Sequence, residues 1–210
     1  MARLYEEKKV VLESMTREAL FREARQLLEE GGWKGMTMEK LANLAGVAKG
    51  TVYNYFKDKN EVIYFVMDRT LEPVLTYIRQ IDINAENPEE IFTRVLKMIC
   101  EGLYEDRFLI PAIVRAINED ENQTPADHEK KSISLWEIRR FMQTVLQKGT
   151  NKGQFKKMDP QTAEAVVHAC IMGTLRELFV GNLDLDSEEF TKAIADFIYF
   201  GLKGRQSTGS

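Results

Sequence analysis

The sequence predicts an all-α protein of about nine helices, with a three-helix helix-turn-helix domain joined to a larger helical body. Three observations carry that expectation. Apolar residues recur at helical spacing along most of the chain, and no stretch sustains the period-two alternation of a strand. Asn87-Pro88, Thr124-Pro125 and Asp159-Pro160 each pair a capping side chain with proline at the first helical position, where a missing N–H costs nothing. Residues 37–59 hold two short helical patterns joined by a tight turn at Gly46.

Read in order, a first helix runs from near Thr16 to Glu30, with Leu20, Ala24, Leu27 and Leu28 on one face and Gly31-Gly32 ending it. Short helices follow over about 38–45 and 49–55. A long one covers roughly 59–81, where Pro73 is expected to kink or break it. The remaining helices fall near 88–104, 107–118, 125–148, 160–180 and 187–202, with loops at Asn118–Gln123 and Gly149–Met158. Asn87 with Glu90, Asp58 with Glu61 and Asp186 with Glu189 have the spacing of capping boxes. The expected organisation is a helix-turn-helix domain over 1–58, a connecting helix over 59–81, a helical body over 82–204 and a disordered tail over 205–210.

Charge is unevenly spread. The net charge is −4, yet residues 1–60 hold eleven basic against nine acidic residues, and 32–60 hold five against two. A weakly basic end on an acidic body suits contact with phosphate at one end only. No apolar run reaches the length of a membrane span or resembles a signal peptide, and the two cysteines, Cys100 and Cys170, lack metal or redox spacing. A cytoplasmic protein with free thiols is the expectation, with no cofactor and no metal.

Within 37–59, Thr37 can cap a short helix bearing Met38, Leu41 and Ala42 inward. A second helix begins near Ala48 and turns Val52 and Phe56 inward. Its outward residues are Lys49, Gly50, Thr51, Tyr53, Asn54 and Tyr55, which offer an ammonium, hydroxyls, an amide and phenols to phosphates or base edges. Lys57 and Lys59 flank the start of the next helix, where free amides would add to anion binding.

The run Gly46-Val47-Ala48-Lys49-Gly50-Thr51-Val52-Tyr53-Asn54-Tyr55-Phe56-Lys57-Asp58-Lys59-Asn60-Glu61, led in by Thr37-Met38-Glu39-Lys40-Leu41-Ala42, closely resembles the recognition segment of the tetracycline-repressor-like (TetR) family. The resemblance spans about residues 14–68 and is only architectural beyond. It implies that Thr51, Tyr55 and Lys59 hold DNA phosphates, while Lys49, Gly50, Tyr53 and Asn54 face base edges or nearby backbone. Thr37 and Ala48 complete the candidate DNA-binding set. Ala48 departs from the serine or threonine common in the family, a lost cap costing about 1 kcal/mol.

Other chemistries fail on order and context. Gly46–Thr51 reads Lys-Gly-Thr between two helices, whereas a phosphate-binding loop needs Gly-Lys-Ser/Thr after a strand. His128-Glu129 lacks a second histidine on the same turn, and with His168 as the remaining histidine no histidine-rich metal site can form. No catalytic constellation emerges, and no enzyme is expected.

The body carries large apolar residues suited to an apolar or aromatic effector. The candidate ligand set is Met98, Tyr104, Phe108, Trp136, Arg139, Phe141, His168 and Met172. Val166, Ala169, Gly173, Phe190, Ile194, Phe197 and Ile198 on the last two helices are the candidate homodimer interface, a role the family resemblance also implies. The expected function is a ligand-responsive repressor that binds a pseudo-palindromic double-stranded operator as a homodimer. A transcriptional activator of the same fold, a small-molecule-binding protein without a DNA role and a helical enzyme using His168 remain alternatives at this stage.

Overall fold

The computed structural model of the chain describes residues 2–118 and 132–203, with side chains over 6–116 and 132–203. Nine α-helices and one 3₁₀ turn occur among the described residues, and no strand. In chain order they are α1 (Ala2–Gly35), α2 (Met38–Leu44), α3 (Lys49–Tyr55), α4 (Lys59–Ile78), α5 (Pro88–Glu105), the turn Arg107–Leu109, α6 (Ile110–Asn118), α7 (Ile133–Asn151), α8 (Pro160–Phe179) and α9 (Ser187–Lys203). The Thr124-Pro125 start, the loop beyond Asn118, His128 and the tail 205–210 lie outside the described residues.

The described proline-led starts are capped as the sequence indicates. Of the three spaced pairs only Asp186–Glu189 closes reciprocally, since Asn87 accepts from Glu89 rather than Glu90 and Glu61 accepts from Lys57 rather than Asp58. The Asn87 side chain accepts from the Glu89 amide and Asp159 from the Thr162 amide, each before a proline. Asp186 and Glu189 exchange hydrogen bonds, the Glu189 amide donating to Asp186 at 2.9 Å and the Asp186 amide to Glu189 at 3.1 Å. That is a complete capping box.

Three elements differ from expectation. α1 starts some fourteen residues before Thr16, because residues 6–15 are helix formers without glycine or proline. Gly32 does interrupt it, at φ 54° and ψ −155°, but one further turn follows to Gly35. Pro73 lies inside α4 without ending it. Its ring is on the exposed side, where water can satisfy the carbonyl that loses its amide partner. α7 continues to Asn151, so Gly149 is helical rather than part of a loop.

The chain divides into two units, Met1–Arg69 with Pro111–Ser132, and Thr70–Ile110 with Ile133–Ser210. The division falls inside α4, and α6 belongs with the first unit, which the expected boundaries at 58 and 81 do not anticipate. The first unit's core comprises Leu20, Ala24, Leu27 and Leu28 of α1, Leu41 and Ala42 of α2, Val52 of α3, and Val62, Ile63 and Val66 of α4, none more than 8% exposed. Phe65 joins it to Phe21 and Phe56, with ring centroids 6.3 and 5.1 Å away.

In the second unit α5 packs on α9 and α7, and α7 on α8. Ile91, Phe92, Val95 and Leu96 of α5 meet a core that includes Phe190, Ile194 and Ile198 of α9 and Ile138, Met142 and Val145 of α7. Burial of side chains this large is worth about 1.5–3 kcal/mol each before entropy is counted. Polar clasps tie the same helices. The carboxylate of Glu89 accepts from the Tyr199 hydroxyl at 2.6 Å and pairs with Lys203 at 2.8 Å, while Arg79, in the turn after α4, pairs with Glu137 of α7.

Candidate nucleic-acid interface

The turn between α2 and α3 is built as its residues dictate. Thr37 caps α2, its hydroxyl accepting from the Lys40 amide at 3.2 Å. Gly46 takes φ +69°, a left-handed backbone that a side chain would strain, and the Val47 amide reaches back to the Ala42 carbonyl at 3.0 Å. Ala48 sits at the N-cap of α3 with extended backbone and no side-chain cap, so that start lacks the bond a serine would make.

One face of α3 is spent on the core, with Val52 fully buried and Phe56 just beyond the helix 7% exposed. The opposite face is open. Lys49, Gly50, Asn54 and Tyr53 are exposed, Tyr53 at 48%, while Thr51 and Tyr55 are half-buried at the edges. One short helix therefore carries Lys49, Gly50, Thr51, Tyr53, Asn54 and Tyr55, while Thr37 and Lys59 of the candidate set lie on its neighbours. A cation missed in the sequence backs this face: the Arg17 guanidinium of α1 lies 5.5 Å from the centre of the Tyr55 ring. No spacing rule marks Arg17, because α1 and α3 are brought together only by folding.

Lys59 is placed differently from expectation. Its ammonium donates to the Trp33 carbonyl and sits 4.2 Å from the Trp33 ring centre. It is half-buried and engaged within its own unit, where a phosphate contact would need it outside. The amides near the start of α4 are also occupied. The Lys57 amide donates to Glu61 at 2.8 Å and the Glu61 amide to Asp58 at 3.0 Å, so these amides are unavailable for phosphate. Carboxylates placed there by the capping pattern fill the anion site themselves.

The body residues divide as well. Met98, Phe108, Phe141, His168 and Met172 are half-buried on α5, the turn after it, α7 and α8. Two polar members are committed within the fold. The Arg139 guanidinium makes a forked pair with Glu164, whose side chain is 5% exposed, with nitrogen–oxygen distances of 2.7–2.9 Å. The Tyr104 hydroxyl donates to the Leu185 carbonyl at 2.8 Å, and its ring lies against Phe190. Trp136 is 41% exposed beneath Arg140 and so encloses little. Burial pushes the Cys100 thiol up to about 12, with Glu101 adding to the effect, so it stays protonated and unreactive.

The candidate interface residues separate by face. Phe190, Ile194 and Ile198 are 0%, 4% and 5% exposed and belong to the core of their own unit, which removes them from any partner surface. The period that makes a helix amphipathic cannot say which of two apolar faces is turned inward. Val166, Ala169, Gly173 and Phe197 are exposed, and Phe200, which the sequence did not single out, is exposed as well, at 75%. No described helix is long and apolar enough to cross a membrane.

Comparison with known proteins agrees with this geometry. Residues 20–63 match the family described as bacterial regulatory proteins, tetR family. An HTH-type transcriptional regulator of Staphylococcus aureus (strain USA300) is 27% identical over 96 residues, covering 46% of this chain and 52% of that protein. The chain thus matches about half the length of such curated relatives. Among solved structures, the transcriptional regulator FadR from Bacillus subtilis in complex with stearoyl-CoA superposes with TM-score 0.68 at 19% identity, over 88% of this chain and 98% of that one. The fatty acid degradation regulator FadR from Bacillus halodurans gives TM-score 0.68 at 22% identity, over 90% and 97%. At these identities the likeness is one of fold.

Proposed function

We propose, from the match of residues 20–63 to the tetR family of bacterial regulatory proteins, that the chain is a ligand-responsive transcriptional repressor. It binds a pseudo-palindromic operator as a homodimer and leaves it when a small, largely apolar effector occupies the helical body. The observation that carries this reading is the open face of α3, where Lys49, Gly50, Tyr53 and Asn54 are exposed while Val52 and Phe56 anchor the helix from behind. A recognition helix needs that division between a fixed back and a polar front.

Two further observations support the finer parts. Phe197 and Phe200 are 71% and 75% exposed on α9, and Val166, Ala169 and Gly173 are exposed on α8. Two aromatics so exposed on one chain are well suited to burial against the same residues of a second copy. For the effector, one structure of similar fold holds stearoyl-CoA. The half-buried Met98, Phe108, Phe141 and Met172 would suit an apolar chain, with His168 as a polar contact.

The test selects duplexes from a random library with the purified full chain and then titrates them with long-chain acyl-CoA. Enrichment of an inverted repeat, with release on titration, supports the reading. Failure to enrich any sequence contradicts it, and enrichment without release by any apolar ligand removes the effector.

A further inference from the structure

α1 enters the core of its unit only from Leu20 onward. The turns before it carry Val11, Leu12 and Met15, which are 58%, 66% and 65% exposed and line a shallow groove with Glu7 and Lys8. Val11 and Met15 do not prolong the core face. Glu13 and Lys9 precede Leu20 by seven and eleven residues and so share its side of the helix, whereas Val11 precedes it by nine, about two and a half turns. Val11 and Met15 therefore point away from the face that Leu20 buries, and Glu18 at the end of the stripe meets its own unit through Arg69. Packing within the unit gives no reason for the apolar character of Val11 and Met15.

The stripe has the spacing of a coiled-coil seam. Lys8, Val11, Met15 and Glu18 follow one another at intervals of three, four and three residues. This seam is self-complementary in one orientation. Laid antiparallel on a second copy with Val11 opposite Met15, it places Lys8 opposite Glu18, and the two-fold repeats both contacts. Two apolar layers are then flanked by two opposite-charge pairs. A parallel arrangement would set Lys8 on Lys8 and Glu18 on Glu18. Arg69 holds one oxygen of Glu18 at 2.7 Å, and the side chain remains 59% exposed, open to a second cation.

We infer that the N-terminal part of α1 is a second self-association surface, pairing antiparallel with α1 of another copy through Val11, Met15, Lys8 and Glu18. The contact spans about three turns, roughly 15 Å, well below the area of a stable dimer. It therefore acts where copies are already concentrated, as between dimers on neighbouring sites. The pairing of α1 with α1 does not depend on the DNA reading, whereas its placement between dimers on neighbouring sites rests on the proposed function.

Sedimentation velocity over a concentration series of the full chain tests it. The background is Phe197→Asp/Phe200→Asp, so that association through α9 is removed separately. The expected result is a weak concentration-dependent association in that background and a step beyond the dimer in the wild type. Val11→Glu/Met15→Glu abolishes both. Lys8→Glu weakens both by about tenfold, and Lys8→Glu/Glu18→Lys restores them. Circular dichroism checks that these exposed substitutions leave the helix content unchanged. The inference is overturned if the charge swap fails to restore association, or if the Val11 and Met15 variants associate like the parent. It is equally overturned if only the wild type floats with phosphatidylglycerol vesicles while self-association is insensitive to all of them, which would assign the stripe to a lipid surface.

Discussion

The ammonium of Lys59 rests 4.2 Å from the ring centre of Trp33 and donates to the same residue's carbonyl, fastening the start of α4 to the last turn of α1. The Arg115 guanidinium of α6 stands 5.7 Å from the same ring. Trp33 therefore gathers three helices of one unit. Trp33→Ala should lower stability by about 1–3 kcal/mol through lost packing and cation–π attraction, measured as the urea midpoint at constant m-value. An unchanged midpoint would mean that the ring holds nothing together.

The same contact makes a prediction about DNA. If Lys59 is an internal clasp and Lys49 a phosphate ligand, the two neutral variants separate in the salt dependence of binding. Lys49→Gln should reduce the slope of log K against log salt by about 0.9, and Lys59→Gln should leave it unchanged. Equal reductions would return Lys59 to the phosphate.

Gly149 is buried within α7, and a Cβ added there would collide with the ring of Phe155, itself packed edge-on to Phe92 at 5.6 Å. Gly149→Ala should destabilise by about 1–3 kcal/mol, because the ring has no room to yield. Gly173 lies inside α8 with open space beside it, so Gly173→Ala should stabilise the protomer by about 0.5–1 kcal/mol. Chemical denaturation of the two variants compares them directly.

The clasp at Glu89 carries a pH signature. Hydrogen bonds from Lys203 first, and from Tyr199, hold the Glu89 carboxyl below its ordinary range, and Glu89 in turn raises Lys203. A lowered folded-state carboxyl contributes stability above its unfolded pKa, and that contribution disappears as pH falls through the folded value. A raised lysine contributes below its unfolded pKa and ceases to do so as pH climbs through the folded value. Glu89→Gln should flatten the stability profile at both ends. A profile parallel to the wild type would contradict the clasp.

Legibility in the sequence followed locality. Caps such as Asn87, Asp159 and the Asp186–Glu189 box could be read because the bonded partners lie within one turn, and Gly46 because its backbone angle is a property of that residue. Val52 inward and Tyr53 outward followed from helical period alone. What escaped depends on distant neighbours. Nothing near Lys59 indicates that folding brings Trp33 over it, twenty-six residues earlier. Nothing near Phe190, Ile194 and Ile198 shows that α5 covers them while Phe197 and Phe200 stay outside. Pro73 leaves α4 unbroken for a related reason, since whether a helix proline ends the helix depends on what lies beside the freed carbonyl.

The exposed aromatics of α9 give a sharp contrast. Phe197→Asp/Phe200→Asp should dissolve a dimer while leaving the protomer folded, whereas Ile194→Asp should unfold the second unit, because an unpaired carboxylate would be buried. Light scattering with circular dichroism distinguishes the two outcomes.

The most direct test of DNA recognition is a fluorescence-anisotropy titration of a selected duplex and its scrambled counterpart, with the wild type, Tyr55→Ala and Asn54→Ala, at several salt concentrations. The account predicts sequence-selective, salt-sensitive binding by the wild type. Tyr55→Ala should weaken binding to many sequences alike, and Asn54→Ala should change the order of preferred bases. Equal affinity for selected and scrambled duplexes, unaltered by either substitution, would contradict the assignment of α3 as the helix that reads DNA.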